Sequence, residues 1–389
     1  MIKGRRGLLK DLRASIPSGQ TVIWFHAASL GEFEQGRPVI EAWKASRPDD
    51  FILLTFFSSS GYEMRKDYAS ADYISYLPFD FPVHIRRFIR IANPQLLVLI
   101  KYEFWPNLLL NLQKQNIPVF LISSIFRPDQ HFFKWYGSFF RRLLRVFTWI
   151  FVQNEESKSL LEGVGIDRVQ VAGDTRVDRV LDISEKDETI EGIEEFTKDS
   201  FVLLGGSSWE PEEEIICKFQ DRMNKSESKA VKIILAPHDI SDERLRSIQI
   251  RFSDQLILYS KWIQNSSIQA EYSVLLIDQI GLLSRLYKYA DAAFIGGGFG
   301  SGLHNVLEPA AYGIPVIYGP GYGKFAEAVE LLKTGGSFTV TSCKEFDKIV
   351  YKLMYDNKTL SNAGAASRAY VENSKGATAL IISRLMENV

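Results

Sequence analysis

The chain has 389 residues, 46% of them hydrophobic and 24% charged, which is typical of a soluble globular protein with two domains rather than one core. Its two cysteines, Cys217 and Cys343, lie far apart without metal-ligand spacing, so we expect neither a disulfide framework nor a zinc site. No apolar run reaches the ~18 residues that cross a membrane, and no signal peptide is visible.

The net charge of −1 is unevenly distributed. Residues 1–150 hold 20 Lys and Arg against 12 Asp and Glu, whereas residues 151–389 hold 26 against 35. This asymmetry suggests that the first half meets an anionic partner. Two of its segments, HIRRFIR (84–90) and FFRRLLRVF (139–147), mix arginine with large apolar groups, which suits a phosphorylated lipid or a membrane surface. The alternative is a pair of ordinary helices with solvated arginine faces.

Apolar, β-branched runs alternate with helical patterns, such as RPVIEAWKAS, along the whole chain. The first series of predicted strands is TVIWFHA, FILLTFF, ADYISYLP, QLLVLIKYEF, IPVFLISS, TWIFVQN and VQVAGD. The second series is SFVLLGG, AVKIILAP, QLILYS, SVLLIDQ, DAAFIGGG, IPVIYGP and SFTV. Continuous apolar strands alternating with helices predict parallel sheets covered on both faces. The predicted fold is α/β, with two Rossmann-like, doubly wound domains facing a central cleft.

The acidic stretch ISEKDETIEGIEEFTKDS, residues 183–200, has no strand pattern and is the predicted linker. It separates a domain at 1–182 from a domain at 201–389. The last helix of the chain could return to the first domain. In such sheets, ligands bind beyond the carboxyl ends of the strands.

The first candidate site is HAASLGEFEQG, where a predicted strand turns into a helix. Glu32 follows Gly31 at a place rich in unpaired backbone N–H groups and at the positive end of the helix dipole. α/β proteins handle anions at such places. A carboxylate there either caps the helix or takes part in chemistry above the sheet.

The second candidate site follows the predicted strand DAAFI. Five glycines fall between Gly296 and Gly302, and glycine lets backbone N–H groups close on a ligand. His304 and Asn305 stand where the helix NVLEPAAYG is predicted to begin, with its positive end towards a phosphate. Glu308, one turn further on, can accept hydrogen bonds from sugar hydroxyls or from backbone N–H groups.

Four motifs, in the same order, resemble those of the 3-deoxy-D-manno-octulosonic acid (Kdo) transferases, which are GT-B glycosyltransferases. HAASLGE resembles the family's H-x-x-S-x-G-E, and KYEFWPN resembles E-x-E-x-W-P-N. GSSWEPEE resembles G-S-T-H-E-x-E-E, and SGLHNVLEP resembles G-G-H-N-x-L-E-P. The matches cover most of the chain.

The sequence also departs from the family pattern. Lys101 stands where the family has its first glutamate, so only Glu103 carries over. Trp209 stands in place of the usual histidine, and the family's P-R-H is shortened to Pro237 and His238. The family usually begins with a hydrophobic anchor helix; since KGRRG resembles the segment just after it, we expect a trimmed N-terminus.

The resemblance implies an enzyme that transfers Kdo, with inversion, from CMP-Kdo to the glucosamine disaccharide of a lipid A precursor. It implies no metal or other cofactor, and a location at the cytoplasmic face of the inner membrane. The implied partners are CMP-Kdo, the lipid A precursor and an anionic membrane surface. No nucleic acid is expected as a partner, and the oligomeric state stays open.

The resemblance and the residue chemistry together give three sets of candidate site residues. The catalytic candidates are Glu32, as general base, and Glu103. The donor-binding candidates are Ser207, Ser208, Glu210, Pro237, His238, Gly296, Gly297, Gly298, Gly302, His304, Asn305 and Glu308. The candidates for acceptor or anion contact are Ser58, Ser60, Arg127 and Arg176.

Other interpretations stay open. Glu32 and His304 can be helix caps, and Glu103 can be the buried partner of an arginine. Ser58 can be a plain N-cap, and Arg176 can brace a hinge between domains. The rival functions are another GT-B enzyme, such as a nucleotide-sugar 2-epimerase, and a non-enzymatic two-domain sugar-binding protein.

Overall fold

The structure is a computed structural model that describes residues 5, 7–224, 230–264, 272–300 and 302–388. These residues form two compact units. The first contains the residues up to 179 and those from 374 onwards, and the second contains 180–373. Each unit is built on one seven-stranded sheet in which the paired strands are parallel. The prediction of two doubly wound parallel α/β domains is therefore confirmed.

Among the described residues, the first unit is assembled from seven strands and nine α-helices, one of which continues into the second unit after Arg179. The strands are β1 (Val22–Ala27), β2 (Phe51–Phe56), β3 (Tyr73–Tyr76), β4 (Pro94–Ile100), β5 (Val119–Ser124), β6 (Trp149–Val152) and β7 (Val169–Val171). The helices are α1 (Leu8–Ser15), α2 (Leu30–Ser46), α3 (Ser59–Arg65), α4 (Pro82–Ala92), α5 (Pro106–Lys114), α6 (Ser138–Leu144), α7 (Glu155–Glu162), α8 (Thr175–Glu185) and α18 (Ala377–Met386). The strand order is β3-β2-β1-β4-β5-β6-β7.

The first sheet is buried on both faces, which explains its unbroken apolar strands. All six residues of β1 are buried. Val22 and Trp24 belong to one core cluster, whereas Ile23 and Phe25 belong to another. The final helix, α18, contributes Ile381 to this second cluster, so residues from the end of the chain complete the core of the first unit.

The second unit repeats the architecture. Its strands are β8 (Phe201–Ser208), β9 (Val231–Pro237), β10 (Leu256–Leu258), β11 (Val274–Leu276), β12 (Ala292–Ile295), β13 (Val316–Tyr318) and β14 (Ser337–Thr339). Its helices are α9 (Ile193–Thr197), α10 (Glu210–Met223), α11 (Asp242–Phe252), α12 (Tyr259–Trp262), α13 (Leu283–Leu286), α14 (Leu307–Ala311), α15 (Ala326–Thr334), α16 (Cys343–Tyr355) and α17 (Asn357–Asn373). The strand order is β10-β11-β9-β8-β12-β13-β14.

The fourteen strands coincide with the fourteen predicted runs, but two segments differ from expectation. The run QLLVLIKYEF was predicted as one strand, yet β4 ends at Ile100. Lys101 follows with a φ of +67°, a left-handed conformation that cannot continue an extended strand. The acidic stretch 183–200 contains the end of α8 and all of α9, and it lies within the second unit.

Candidate active site

Each sheet has one point where the strand order reverses. In the first sheet, β1 and β4 are neighbours, with the strands that follow β1 on one side and those that follow β4 on the other. In the second sheet, β8 and β12 have the same relation. Open parallel sheets bind ligands at such points, beyond the carboxyl ends of the strands. The two sets of motif residues lie at these two places, one in each unit.

In the first unit, His26 and Glu103 form a buried pair. Nε2 of His26 lies 3.2 Å from a carboxylate oxygen of Glu103, and Trp105 donates its indole N–H to the same oxygen. Nδ1 of His26 lies 2.9 Å from the hydroxyl and 3.0 Å from the carbonyl oxygen of Thr55; the hydroxyl can donate to Nδ1, which lets Nε2 carry the proton that it donates to Glu103. The partner of Glu103 is thus a histidine rather than an arginine. His26 was missed as a candidate, although its position at the end of a buried strand in HAASLGE was the available signal.

Glu32 forms a capping box at the start of α2. Its Oε2 accepts the backbone N–H of Ser29 at 3.0 Å, and Ser29 Oγ accepts the backbone N–H of Glu32 at 3.4 Å. Burial, followed by the negative charge of Glu103, raises the pKa of Glu32. Hydrogen bonds from the backbone of Ser29 and Ala28, and the nearby His26, oppose this rise without cancelling it. The carboxylate is therefore a cap in an environment that makes it a stronger base.

The four candidates for acceptor or anion contact lie apart from this pair in the hydrogen-bond network. Ser58 caps α3 by accepting a backbone N–H at 3.1 Å, and Ser60 Oγ lies 3.3 Å from Ser58 Oγ. Arg176 donates to both carboxylate oxygens of Asp174, and Arg127 is exposed. Capping by Ser58 matches its structural interpretation, and contact with an acceptor stays a prediction for all four.

In the second unit, the buried carboxylate of Glu212 links α10 to the glycine loop. One oxygen accepts the backbone N–H of Gly297 at 2.9 Å, and the other accepts that of Trp209 at 3.2 Å. Burial raises the pKa of Glu212, and these backbone donors oppose the rise. Glu212 was not among the candidates; its spacing of three residues from Trp209, the N-cap of α10, was the signal that could have identified it.

Its neighbour, Glu213, is fully buried and tied to two further groups. It accepts a hydrogen bond from Ser208 at 3.0 Å and forms an ion pair of 2.5 Å with Arg244. Burial raises the pKa of Glu213, and Arg244 opposes this. By contrast, the candidate Glu210 is exposed and pairs with Arg251 at 2.8 Å. Glu212 and Glu213, rather than the candidate Glu210, thus stabilise the turn after β8.

The glycine loop after β12 is largely bonded to the protein itself. The backbone N–H of Gly296 donates to the carbonyl oxygen of Gly206, and that of Gly302 donates to the carbonyl oxygen of Gly297. The backbone N–H of Gly297 donates to a carboxylate oxygen of Glu212. A Cβ at position 296 would lie 2.1 Å from the carbonyl oxygen of Ser207, and Gly297 has a φ of +86°. The expectation that these N–H groups close on a ligand is therefore wrong for these three glycines, which are needed for close backbone packing.

His304 and Asn305 also differ from expectation. The helix predicted to begin at Asn305 begins at Leu307 and is only five residues long. The Asn305 side chain accepts the N–H of Leu307 at 3.1 Å and donates to Glu308 at 3.0 Å. Burial, and then the adjacent His238, lower the pKa of His304 to about 4. His304 is consequently neutral at pH 7 and offers a hydrogen bond rather than a positive charge.

Three aromatic rings gather at the carboxyl ends of β8, β9 and β12. Pro237 is the last residue of β9, and His238 follows it. The His238 ring stacks on Trp209 and on His304 with centroid distances of 4.6 Å in both cases. Trp209 donates its indole N–H to Nε2 of His304 at 3.0 Å. Trp209, the residue that breaks the family pattern, thus lies in contact with two donor-site candidates.

Among the described residues, no cluster of three or more His, Cys, Asp or Glu side chains is arranged to hold a metal ion. In the same part of the chain, no helix combines the length and apolar character that crossing a bilayer requires. The reaction without a metal and the association with a membrane both stay predictions.

Comparison with known proteins identifies relatives over nearly the whole chain. A family profile described as 3-deoxy-D-manno-octulosonic-acid transferase (kdotransferase) matches residues 2–179. The 3-deoxy-D-manno-octulosonic acid transferase of Aquifex aeolicus (strain VF5) is 30% identical over 345 residues, which are 88% of this chain and 87% of the relative. The transferase of the same name from Haemophilus influenzae is 24% identical over 383 residues, covering 96% and 88% of the two chains.

Solved structures share the fold. The UDP-GlcNAc 2-epimerase of Neisseria meningitidis has a TM-score of 0.66 at 17% identity, covering 95% of this chain and all of the other. A UDP-N-acetylglucosamine 2-epimerase from Listeria monocytogenes has a TM-score of 0.62 at 12% identity, with coverage of 95% and 96%. At identities this low, the structural similarity establishes the fold alone, and this fold is the predicted GT-B fold. The matches in sequence decide the family: the chain belongs to the 3-deoxy-D-manno-octulosonic acid transferases, which are glycosyltransferases.

Proposed function

We propose that this enzyme transfers Kdo from CMP-Kdo to the glucosamine disaccharide of a lipid A precursor, with inversion and without a metal ion. Membership of the family supports Kdo transfer. The observation that carries the mechanism is the carboxylate of Glu32, whose pKa is raised by burial and by Glu103 at the carboxyl edge of the first sheet.

Glu32 acts as the general base. In an inverting transfer, a base takes the proton of the acceptor hydroxyl while CMP leaves from the opposite face of the sugar. A raised pKa makes the Glu32 carboxylate a better proton acceptor at neutral pH. The capping box engages Oε2, so the cap fixes the direction of the side chain. The carboxylate then takes the proton of the acceptor hydroxyl.

A second glutamate, Glu345, has the same spacing from a capping serine and shows what the environment adds at Glu32. Ser342 and Glu345 have the same spacing at the start of α16, and the backbone N–H of Glu345 lies 3.4 Å from Ser342 Oγ. Glu345 is exposed, and hydrogen bonds from Thr341 lower its pKa. The carboxylate of Glu345 accepts from Thr341 rather than from the N-cap, so the two glutamates share only their spacing from a capping serine. Burial and the charge of Glu103 raise the pKa of Glu32, whereas the Thr341 donors lower that of the exposed Glu345.

Glu103 acts through Glu32 in this mechanism. His26 and Trp105 fix its carboxylate by two hydrogen bonds to one oxygen. Its negative charge raises the pKa of Glu32, so a fixed Glu103 keeps the base strong in the absence of substrate. His26 and Trp105 are positioning residues in this scheme.

The donor nucleotide is proposed to bind at the carboxyl ends of β8 and β12. His304, Asn305 and Glu308 lie there within one short segment. A neutral His304 supplies a hydrogen bond to an anionic group of CMP, and Glu308 is oriented by the amide of Asn305. The carboxylates of Glu212 and Glu213 are engaged with backbone or arginine groups, so their role is to hold this segment in place.

The exposed side chains of the first unit support the proposed binding of a lipid acceptor and of an anionic membrane surface. Ten large hydrophobic side chains are exposed in the described residues, and seven of them lie in this unit. The extreme case is Trp135, which is 91% exposed and lies close in sequence to the basic segment 139–147. Aromatic and basic groups together suit the headgroup region at the cytoplasmic face of the inner membrane.

Product analysis tests this proposal. The enzyme is incubated with CMP-Kdo and a tetra-acylated lipid A precursor, and the products are examined by mass spectrometry. We expect the acceptor to gain Kdo while CMP is released. A parallel incubation with UDP-GlcNAc tests the epimerase alternative and is expected to return it unchanged. Absence of Kdo transfer with intact CMP-Kdo in the presence of acceptor would overturn the proposal.

A further inference from the structure

Trp209 connects three elements of the second unit at one point. It follows β8 directly, and its ring contacts His238 after β9 and His304 after β12. The family motif has histidine at this position. An imidazole can donate or accept at each nitrogen, whereas an indole can only donate. With tryptophan at this position, the side chain can only donate a hydrogen bond to His304, whereas a histidine could donate or accept one.

The direction of this hydrogen bond decides where the proton of His304 lies. Because Trp209 donates to Nε2 of His304 at 3.0 Å, that nitrogen accepts and carries no proton. His304 is neutral at pH 7, since burial and His238 lower its pKa to about 4. A neutral imidazole without a proton on Nε2 carries it on Nδ1. Within the described part of the chain, the hydrogen bond of the His304 ring is made by Nε2, and Nδ1 is not one of the buried side-chain atoms that lack a partner, so it can reach a ligand.

We propose that Trp209 is a positioning residue that holds His304 in the Nδ1–H tautomer, so that this ring donates a hydrogen bond to an anionic group of the donor nucleotide. The proposal rests on the donor site assigned above. The ligand chemistry it implies is a phosphate or carboxylate oxygen, which accepts from Nδ1–H.

The first test reads the tautomer in the protein without ligand. Ring nitrogens of ¹⁵N-labelled histidine have shifts that distinguish a protonated from an unprotonated Nδ1. We expect wild type to show His304 protonated on Nδ1. Trp209→Phe keeps a ring but removes the donor, and it should move the proton towards Nε2, the site that an unconstrained neutral histidine side chain prefers. An unchanged His304 spectrum in Trp209→Phe would overturn the role of the indole.

A matched control removes the same chemical group elsewhere in the unit. Trp262 also donates its indole N–H, to the carbonyl of Gly192 at 2.8 Å, and makes no contact with His304. Trp262→Phe should therefore leave the His304 signals unchanged. A shift of equal size in both variants would mean that loss of any indole hydrogen bond disturbs the unit, and would overturn the proposal.

The second test measures CMP affinity in a double-mutant cycle. Trp209→Phe should weaken CMP binding roughly tenfold in wild type, since a donor to a charged group is lost for part of the time. The same change should have less than about a twofold effect in a His304→Ala background, because the two residues act as one unit. Equal losses in both backgrounds would refute the coupling. If wild type binds no CMP, the donor assignment falls, whereas the tautomer spectra still decide the contact between Trp209 and His304.

Discussion

The substitution Glu32→Gln separates the two roles of this side chain. Glutamine keeps the size of the side chain, and its carbonyl oxygen can still accept the N–H of Ser29, as Oε2 of Glu32 does at 3.0 Å. It cannot take a proton at the pH of the reaction. Loss of a general base lowers the rate by about 10²–10⁴-fold, which raises the barrier by about 3–5 kcal/mol. We expect Kdo transfer to fall by at least about 100-fold.

The raised pKa of Glu32 also fixes the sign of the change in the free energy of unfolding that this variant should show. The pKa of Glu32 is raised in the folded state, so its contribution to stability is fully present below the unfolded pKa, near 4.5, and is lost as the pH rises through the folded value. Glutamine does not ionise and avoids this loss. Glu32→Gln should thus be at least as stable as wild type at pH 7, and the difference should vanish at acidic pH. Glu32→Ala, which also loses the cap, should cost about 0.5–2 kcal/mol.

The assay compares turnover, thermal unfolding and CMP binding for the same preparations. Glu345→Gln is the matched control, because Glu345 has the same spacing from the serine that caps α16 but is exposed. It should transfer Kdo at the wild-type rate. Near-normal transfer by Glu32→Gln would refute the mechanism and leave Glu32 as a helix cap only. A tenfold or larger loss in Glu345→Gln would show that the assay reports on folding rather than on proton transfer.

Three further outcomes are expected. Glu103→Gln removes the charge that raises the pKa of Glu32, so the acidic limb of the kcat/KM profile should move to lower pH; an unmoved limb would contradict the coupling. CMP at about 1,000 times its Kd should stabilise the wild type by about 4 kcal/mol, and less in His304→Ala; no stabilisation at millimolar CMP would contradict the donor site. Binding to anionic vesicles should weaken with salt and on replacing the exposed Arg87 and Arg142 by alanine, and insensitivity to both would mean that these faces are merely solvated.

The fold was predictable because the strands carry their signal locally. Each strand is an apolar run of a few residues, and burial on both faces of a sheet leaves that run unbroken. The position of Glu32 was predictable for the same reason, since a strand, a turn and a helix start are readable from HAASLGE alone. The sequence is less informative where a single backbone angle determines the end of a strand. The left-handed φ of Lys101 ends β4 four residues earlier than the predicted strand.

The partners of the site residues were not predictable, because they come from distant parts of the chain. The run EPEEE offers four glutamates at the start of α10, and only the packed structure shows that Glu212 and Glu213 are buried while Glu210 is exposed. The protonation state of His304 was not predictable for a similar reason. Its pKa depends on burial and on His238, which lies on a different strand end.

The buried carboxylates of the two units are suited to different roles. In the second unit, both carboxylate oxygens of Glu212 are engaged by backbone N–H groups, and Glu213 is neutralised by Arg244, so neither is suited to receive a proton from a substrate. In the first unit, Glu103 accepts hydrogen bonds from His26 and Trp105, and its negative charge raises the pKa of Glu32. In the proposed mechanism, proton transfer is therefore assigned to the edge of the first sheet, and binding of the donor through hydrogen bonds from neutral groups is assigned to the edge of the second.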